Sequence, residues 1–398
     1  MYDATALRVQ YVGRNEMPSI ARADIVGSLL RPSHLQEARR AVAEGRSTPA
    51  ELRDIEDRIV LEDIAIQEDA GVDVVTDGEA RRTNWIASVS MGGDTTYKAP
   101  MGGIEPREMA PPSWFHFWRT NDGNRRPMQL ATWNVVVDKL RFERDIVEDE
   151  YAYLAQHTSA RKKITFPAPS YHRIFWHPDF STAVYPTVDD FLSDVRDFIR
   201  EHVIQRAIDL GCDYMQMDAP NYGQSYCDPE VMAAMEADGH DLQTELIGDA
   251  EIDNQVFDGI TSVTRALHVC RGNGPGGSWS AAGGYDRFAG ELFPRLTNYD
   301  ALLLEYDTPR SGDFSPLQHV LPTTNVVLGL LTTKEGALED AALIEQRIRE
   351  ASQYVPLDRL SLSTQCGFAS AGAGNPLSLE EQSAKLRRVV EVARKVWG

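Results

Sequence analysis

The feature that most constrains this chain is an alternation. Short runs rich in Val, Ile and Leu recur eight times, each followed by a stretch with helical spacing or by a loop leading to one. The runs are Ala23 to Gly27, Val72 to Thr76, Lys163 to Pro167, Tyr214 to Met217, Ser262 to Leu267, Ala301 to Leu304, Val326 to Gly329 and Arg359 to Ser363. A helix between two strands carries the chain back to the edge where it started, so the strands are parallel, and burial on both faces makes them continuously apolar. Eight such units predict an α/β chain folded as one (β/α)8 TIM barrel, a fold that about 250 residues build and insertions extend. A doubly wound open sheet is the competing architecture. Its dinucleotide-binding signature, Gly-x-Gly-x-x-Gly after the first strand, is missing.

Several helix starts are written locally. Thr48-Pro49-Ala50-Glu51 combines a capping box with proline at the first helical position, Ser378 with Glu381 forms another box, and Thr187 and Ser33 are further cap candidates. Leu52, Ile55, Ile59 and Ile66 share one face of the second helix, which Gly71 can end. From about residue 91 to 154 the rhythm breaks. Trp114 to Trp118, the turn signal Asn121-Asp122-Gly123 and a second extended run, Trp133 to Val137, read as a hairpin-like excursion after strand two: a lid, a dimer contact or, most simply, a structural elaboration. The expected organisation is a single catalytic domain over 1–398, with an N-terminal extension over 1–21.

In such a barrel all strands open on one face, and that is where ligands bind. Glu79, Asp218, His268, Cys270, Glu305 and Cys366 each fall just beyond the carboxyl end of a predicted strand. His268 and Cys270 are two residues apart, so they project the same way and can share an ion. Alone, the pair reads as a core histidine beside a buried thiol. With Glu305 and Cys366 it becomes one imidazole, two thiolates and one carboxylate, a donor set that suits zinc over magnesium or calcium. Zinc bound by two thiolates is electron-rich, better at deprotonating a substrate thiol than at making hydroxide. Glu79 and Asp218 are candidates to hold the ammonium of an amino-acid thiol; otherwise they pair with Arg81, Arg82 or Arg310. Cys212 and Cys227 carry no assigned role.

The formal charge of −20 argues against nucleic acid or anionic membrane as partner. No apolar run approaches the roughly 18 residues of a membrane span, and Met1-Tyr2-Asp3-Ala4 does not begin a signal peptide, so a cytoplasmic location is expected. Four scattered cysteines make a poor disulfide framework.

The motifs Val26-Gly27-Ser28-Leu29-Leu30-Arg31-Pro32, Asp77-Gly78-Glu79, Gln216-Met217-Asp218-Ala219-Pro220, His268-Val269-Cys270, Leu304-Glu305 and Gln365-Cys366-Gly367 resemble, in order and spacing, the catalytic domain of cobalamin-independent methionine synthase. The resemblance runs from about residue 22 to the end and extends to the methionine-synthase-II-like and uroporphyrinogen-decarboxylase-like zinc barrels. It implies a zinc-bearing barrel that methylates homocysteine, with His268, Cys270, Glu305 and Cys366 as zinc ligands. Glu79 and Asp218 then bind the homocysteine amino group, and Ser28 lines its carboxylate. This chain is about half the length of the full synthase. It has Ala219 where the family has glutamate, and Lys334 near the position of a histidine that helps protonate the departing folate. Such an acid is worth about 10²–10⁴-fold, so the resemblance implies a donor other than polyglutamated folate, with Lys334 as a candidate catalytic residue.

The leading expectation is thus a zinc-dependent thiol methyl- or alkyltransferase of methionine biosynthesis, its partners a small thiol and a methyl donor such as a methylated corrinoid, with homo-oligomers left open. A second reading resembles the epoxyalkane:coenzyme M transferases, in which Arg271 or Arg310 would face a sulfonate. A third is a barrel that binds zinc or a small ligand without catalysis.

Overall fold

The computed structural model describes residues 20–90, 97–115, 117–120, 124–127, 132–372 and 374–398. Six parallel strands lie side by side in chain order: Ile164–Pro167, Tyr214–Asp218, Thr264–Val269, Ala301–Glu305, Asn325–Leu331 and Leu360–Thr364. Two single bridges fill the gap between the first and last of these. Ala23 pairs with Leu362 and Val75 with Lys162, both in parallel. Asp73 N donates to Ala23 O at 2.9 Å, which joins the two bridging segments and closes the ring.

The first two expected strands, Ala23 to Gly27 and Val72 to Thr76, are therefore shorter than their apolar runs suggest. The Asp73 carboxylate accepts from Arg22 N at 2.7 Å and Ala23 N at 2.9 Å, and the Asp24 carboxylate accepts from Ile25 N at 2.7 Å. Side chains thus take ladder donors that a longer strand would use. The fifth strand starts at Thr264 rather than Ser262 and runs to Val269, because Thr264 N opens its ladder on Asp213 O at 2.8 Å. His268 is consequently held within the strand.

Alternation along the strands makes two cores. Val26, Val74, Tyr214, Ala266, Ala301, Leu303 and Val327 fill the barrel interior. Met215, Met217, Leu267, Val269, Leu302, Leu304, Val326 and Leu328 point outward and pack in the larger cluster with the helices. The interior parity continues from Tyr214 to Gln216 and Asp218, from Ala266 to His268, and from Leu303 to Glu305, so the filling turns polar toward the strands' carboxyl ends.

The capping boxes at Thr48, Thr187 and Ser378 form, beginning the helices Pro49–Ala70, Val188–Ile199 and Leu379–Trp397. Gly71 ends the first of these at φ 83°. Ser33 does not cap; it is the first residue of the helix Ser33–Ala43, and Pro32 at the cap position offers no side-chain acceptor. Between the second and third barrel positions the backbone makes two antiparallel pairs. Met101–Arg107 pairs with Trp133–Phe142, and Phe117–Arg119 pairs with Arg125–Pro127. The run beginning at Trp133 is therefore not the hairpin partner of the aromatic run; a strand N-terminal to both takes it. The turn signal Asn121-Asp122-Gly123 and most of the extension 1–21 lie outside the described residues. No described helix is long and apolar enough to cross a membrane.

Candidate functional site

His268, Cys270 and Cys366 each place one donor atom within 4.8 Å of the others, and all three are buried. His268 Nδ1 lies 3.2 Å from the carbonyl oxygen of Leu303, which can only accept, so Nδ1 carries a proton and Nε2 is the nitrogen left to face the two thiols. Nε2 is buried and meets no partner in good hydrogen-bond geometry among the described residues; burial lowers the imidazole's pKa, but Cys366 beside it outweighs that effect and raises it. A histidine that donates one ring nitrogen to a carbonyl and turns the other toward two thiols has the form of a metal ligand. Cys366 Sγ also lies 3.4 Å from Ser370 Oγ. Hydrogen bonding from Cys270, with help from His268, pulls the Cys366 thiol well below its ordinary value, while the same pairing and burial push Cys270 well above its own. The cluster is thus already poised to hold negative charge. An imidazole nitrogen beside two sulfurs fits zinc.

Glu305 occupies a different electrostatic setting. Its Oε2 accepts from Arg271 N at 2.7 Å, while its Oε1 accepts from Arg310 and, at 3.4 Å, from Lys334 Nζ. Burial pushes this carboxyl up, but Lys334, Arg310 and Arg271 outweigh it and hold the group well below the usual range. Glu305 is not among the three donors within 4.8 Å. Lys334 Nζ also reaches Asp307 at 3.0 Å and does not line the cavity described below.

Glu79 and Asp218 stand at the same mouth. Glu79 holds the left-handed conformation at φ 54°, directly after Gly78 at φ 71°, and among non-glycine described residues it alone does so. Its Oε1 accepts from Thr165 Oγ1 at 2.8 Å and lies 3.4 Å from Arg82; its Oε2 is buried without a partner among the described residues. Of the arginines the sequence offered as partners, Arg82 is the one that pairs with Glu79, and it is shared with buried Glu150 at 2.6 Å, a partner the sequence did not point to. Burial raises the Asp218 carboxyl to about 7, opposed by His268 and reinforced by Glu79. Asp218 Oδ1 accepts from Gln216 Nε2 at 2.8 Å, and Gln216 Oε1 accepts from Lys163 Nζ at 2.7 Å. Lys163 can only donate, so it fixes which end of the amide faces Asp218. Ser28 Oγ accepts from Ala369 N at 3.2 Å and packs so closely on Gly367 that a Cβ there would overlap it.

These groups open into a cavity of about 640 Å³. Its floor is Ser28, Glu79, Asp218, His268, Cys270 and Cys366; its wall includes Trp85, Phe115, Trp118, Trp133, Tyr171 and Phe175. The Tyr171 hydroxyl is raised by burial and by the nearby Cys270, which sets the aromatic wall next to the thiols. Phe115, Trp118 and Trp133 come from the excursion, so that segment is more than an elaboration of the scaffold. Trp118 reaches the cavity because Gly274 has no side chain: a Cβ there would stand 2.5 Å from the indole. Backbone bonds between Arg119 and Trp279, at 2.7 and 3.0 Å, stitch the excursion to the loop from Gly272 to Gly284. The sequence marked both segments as unusual but not their contact, since the residues concerned are about 160 positions apart.

The chain is 36% identical to YxjH of Bacillus subtilis (strain 168) over 380 residues, 94% of each protein, and 36% identical to YxjG of the same organism over 381 residues, again 94% of each; both are described as uncharacterized. No family model matches. Among solved structures, a crystal structure from Listeria monocytogenes described as a "Putative Vitamin-B12 Independent Methionine Synthase" superposes with a TM-score of 0.67 at 27% identity, covering 96% of this chain and all of that one. Identity at this level over nearly the full length of both Bacillus proteins settles kinship, and the chain belongs to the family of YxjH and YxjG.

Proposed function

We propose that this protein is a zinc-dependent methyltransferase acting on a small thiol, with homocysteine as the favoured acceptor. The observation that carries this reading is the His268, Cys270 and Cys366 cluster, its three donor atoms within 4.8 Å of one another, opening on a cavity whose floor also holds Glu79 and Asp218. The likeness to the Listeria protein supports it. His268, Cys270 and Cys366 would hold zinc, and Glu305 would be a fourth ligand after exchanging one of its cationic partners. Bound zinc supplies positive charge that favours the thiolate form of a substrate thiol while the sulfur stays nucleophilic.

The chain's own residues do the rest. Glu79 and Asp218 line the cavity and would accept from an α-ammonium, and Ser28 with the Gly367 backbone shapes the adjoining end. Thr165 and Arg82 hold Glu79, and Gln216 holds Asp218, so the pair is set before substrate arrives. Lys334 keeps Glu305 ionised and positioned; in this arrangement it is a positioning residue rather than a proton donor to a leaving group. The coenzyme M reading is less well supported: Arg271 and Arg310 are committed to Glu305 and nearby groups, and neither lines the cavity.

Metal analysis tests the assignment directly. The purified protein should carry about one zinc per chain, and Cys270→Ser or Cys366→Ser should each remove most of it; full retention in both variants would refute the ligand set. Homocysteine should then add one sulfur to the zinc environment seen by X-ray absorption, and no change with any thiol would point to a non-catalytic zinc barrel.

A further inference from the structure

The acceptor does not account for the cavity. An amino-acid thiol has few heavy atoms, whereas the space is about 640 Å³ and much of its wall is aromatic. Six aromatic side chains line it, and five of them meet edge to face: Trp85 on Tyr171 at 4.6 Å, Phe115 on Trp133 at 5.7 Å and Phe115 on Trp118 at 6.2 Å between centroids. Among the described lining residues there is no lysine or arginine, and the only formally charged side chains are the carboxylates Glu79 and Asp218. A cavity so lined offers a phosphate, sulfonate or polycarboxylate neutral donors but, among the described lining residues, no lysine or arginine to balance its charge. It attracts positive charge twice over, through carboxylates and through ring faces, whose quadrupoles favour a soft, poorly hydrated cation.

We propose that the methyl donor is an onium compound, a sulfonium or quaternary ammonium whose charged methyl-bearing centre sits between the rings and the thiol. The inference rests on the thiol-methyltransferase reading and names its second substrate class. The chemistry closes without an acid. The thiolate sulfur gives its lone pair to the methyl carbon as the carbon–heteroatom bond breaks, and the bonding pair stays on the leaving heteroatom, which departs as a neutral thioether or amine. The thiol proton goes to solvent when the acceptor binds. An anion and a cation combine into two neutral products, so charge is annihilated in the transition state. A desolvated apolar wall speeds such a step and would slow one that creates charge. This is also why the setting of Lys334, spent on Glu305 and Asp307, costs the reaction nothing.

The test uses the zinc-loaded full chain and two readouts. In the first, tryptophan fluorescence and calorimetry compare choline with its uncharged isostere 3,3-dimethylbutan-1-ol. The cation should bind about tenfold more tightly; Trp118→Leu should reduce that preference severalfold, and Trp118→Phe should keep most of it, with zinc content confirming that both variants are folded. Equal affinity for the cation and its isostere would overturn the proposal. In the second, trimethylsulfonium and homocysteine should yield methionine and dimethyl sulfide. If homocysteine changes the zinc X-ray absorption spectrum but trimethylsulfonium is inert while 5-methyltetrahydrofolate transfers its methyl group, the onium proposal falls and the thiol reading stands. If homocysteine leaves the zinc unchanged, the thiol reading falls with it.

Discussion

Glu79 keeps one oxygen bonded and one free inside the protein because Arg82 neutralises it together with Glu150. Arg82→Met would leave two buried carboxylates without a cation, a change that typically costs about 3–5 kcal/mol. Urea denaturation should show a loss of that order, and any folded fraction should bind homocysteine weakly; an unchanged midpoint would refute the role. His172 gives a pH-dependent counterpart. Burial lowers its pKa to about 4, and its Nδ1 donates to Ala168 O at 2.9 Å. The unfolded chain takes up a proton near the ordinary value of about 6.5 while the folded chain resists until about 4. Stability from this group is therefore complete above about 6.5 and falls by roughly 1.4 kcal/mol per pH unit below it, down to about 4. His172→Gln should flatten that slope in melts between pH 4 and 6.5, and an identical slope in the variant would count against it. At this scale the sequence was legible where chemistry is local. The two-residue spacing of His268 and Cys270 puts both on one side of the strand, but only Cys366, about a hundred positions on, turns the pair into a cluster. The cations around Glu305 come from positions 271, 310 and 334, and no local pattern joins them.

Between elements, contacts hinge on missing side chains. The helix Pro220–Tyr226 packs Gly223 directly on the Cys270 backbone, where an added Cβ would overlap the carbonyl oxygen. Gly223→Ala would gain about 1 kcal/mol of helix propensity but must push the strand end away, a distortion costing about 1–3 kcal/mol. We expect a modest drop in melting temperature with a larger loss of zinc affinity, measured by competition with a chelator; unaltered zinc affinity would mean that the helix does not position Cys270. The capped helices were readable because a capping box is written in four consecutive residues. The first two strands were read too long because Asp24 and Asp73 divert ladder donors. The excursion's pairing escaped because Trp133–Phe142 chooses a partner some thirty residues upstream over the nearer aromatic run.

On the scale of the whole molecule, eight alternations sufficed to indicate the barrel, while the aromatic wall of the cavity had to be seen in three dimensions. Through the barrel runs a polar line. Asp24 accepts from Lys163 at 2.8 Å and from Tyr214 at 2.6 Å, Lys163 donates onward to Gln216, and Gln216 to Asp218. Lys163→Met should strand Asp24 as an unpaired buried charge, costing about 3–5 kcal/mol, and should raise the KM for homocysteine more than it lowers kcat. A variant that loses stability but keeps KM would show that the line ends short of the site. If it does reach, the history open to this fold is restricted. A change at Asp218 that suits a new acceptor must also suit an amide whose orientation is set from the opposite end of the barrel, so single substitutions there are dead ends. New acceptors would be reached only by exchanging the line as a block, or by leaving it untouched and varying the aromatic wall.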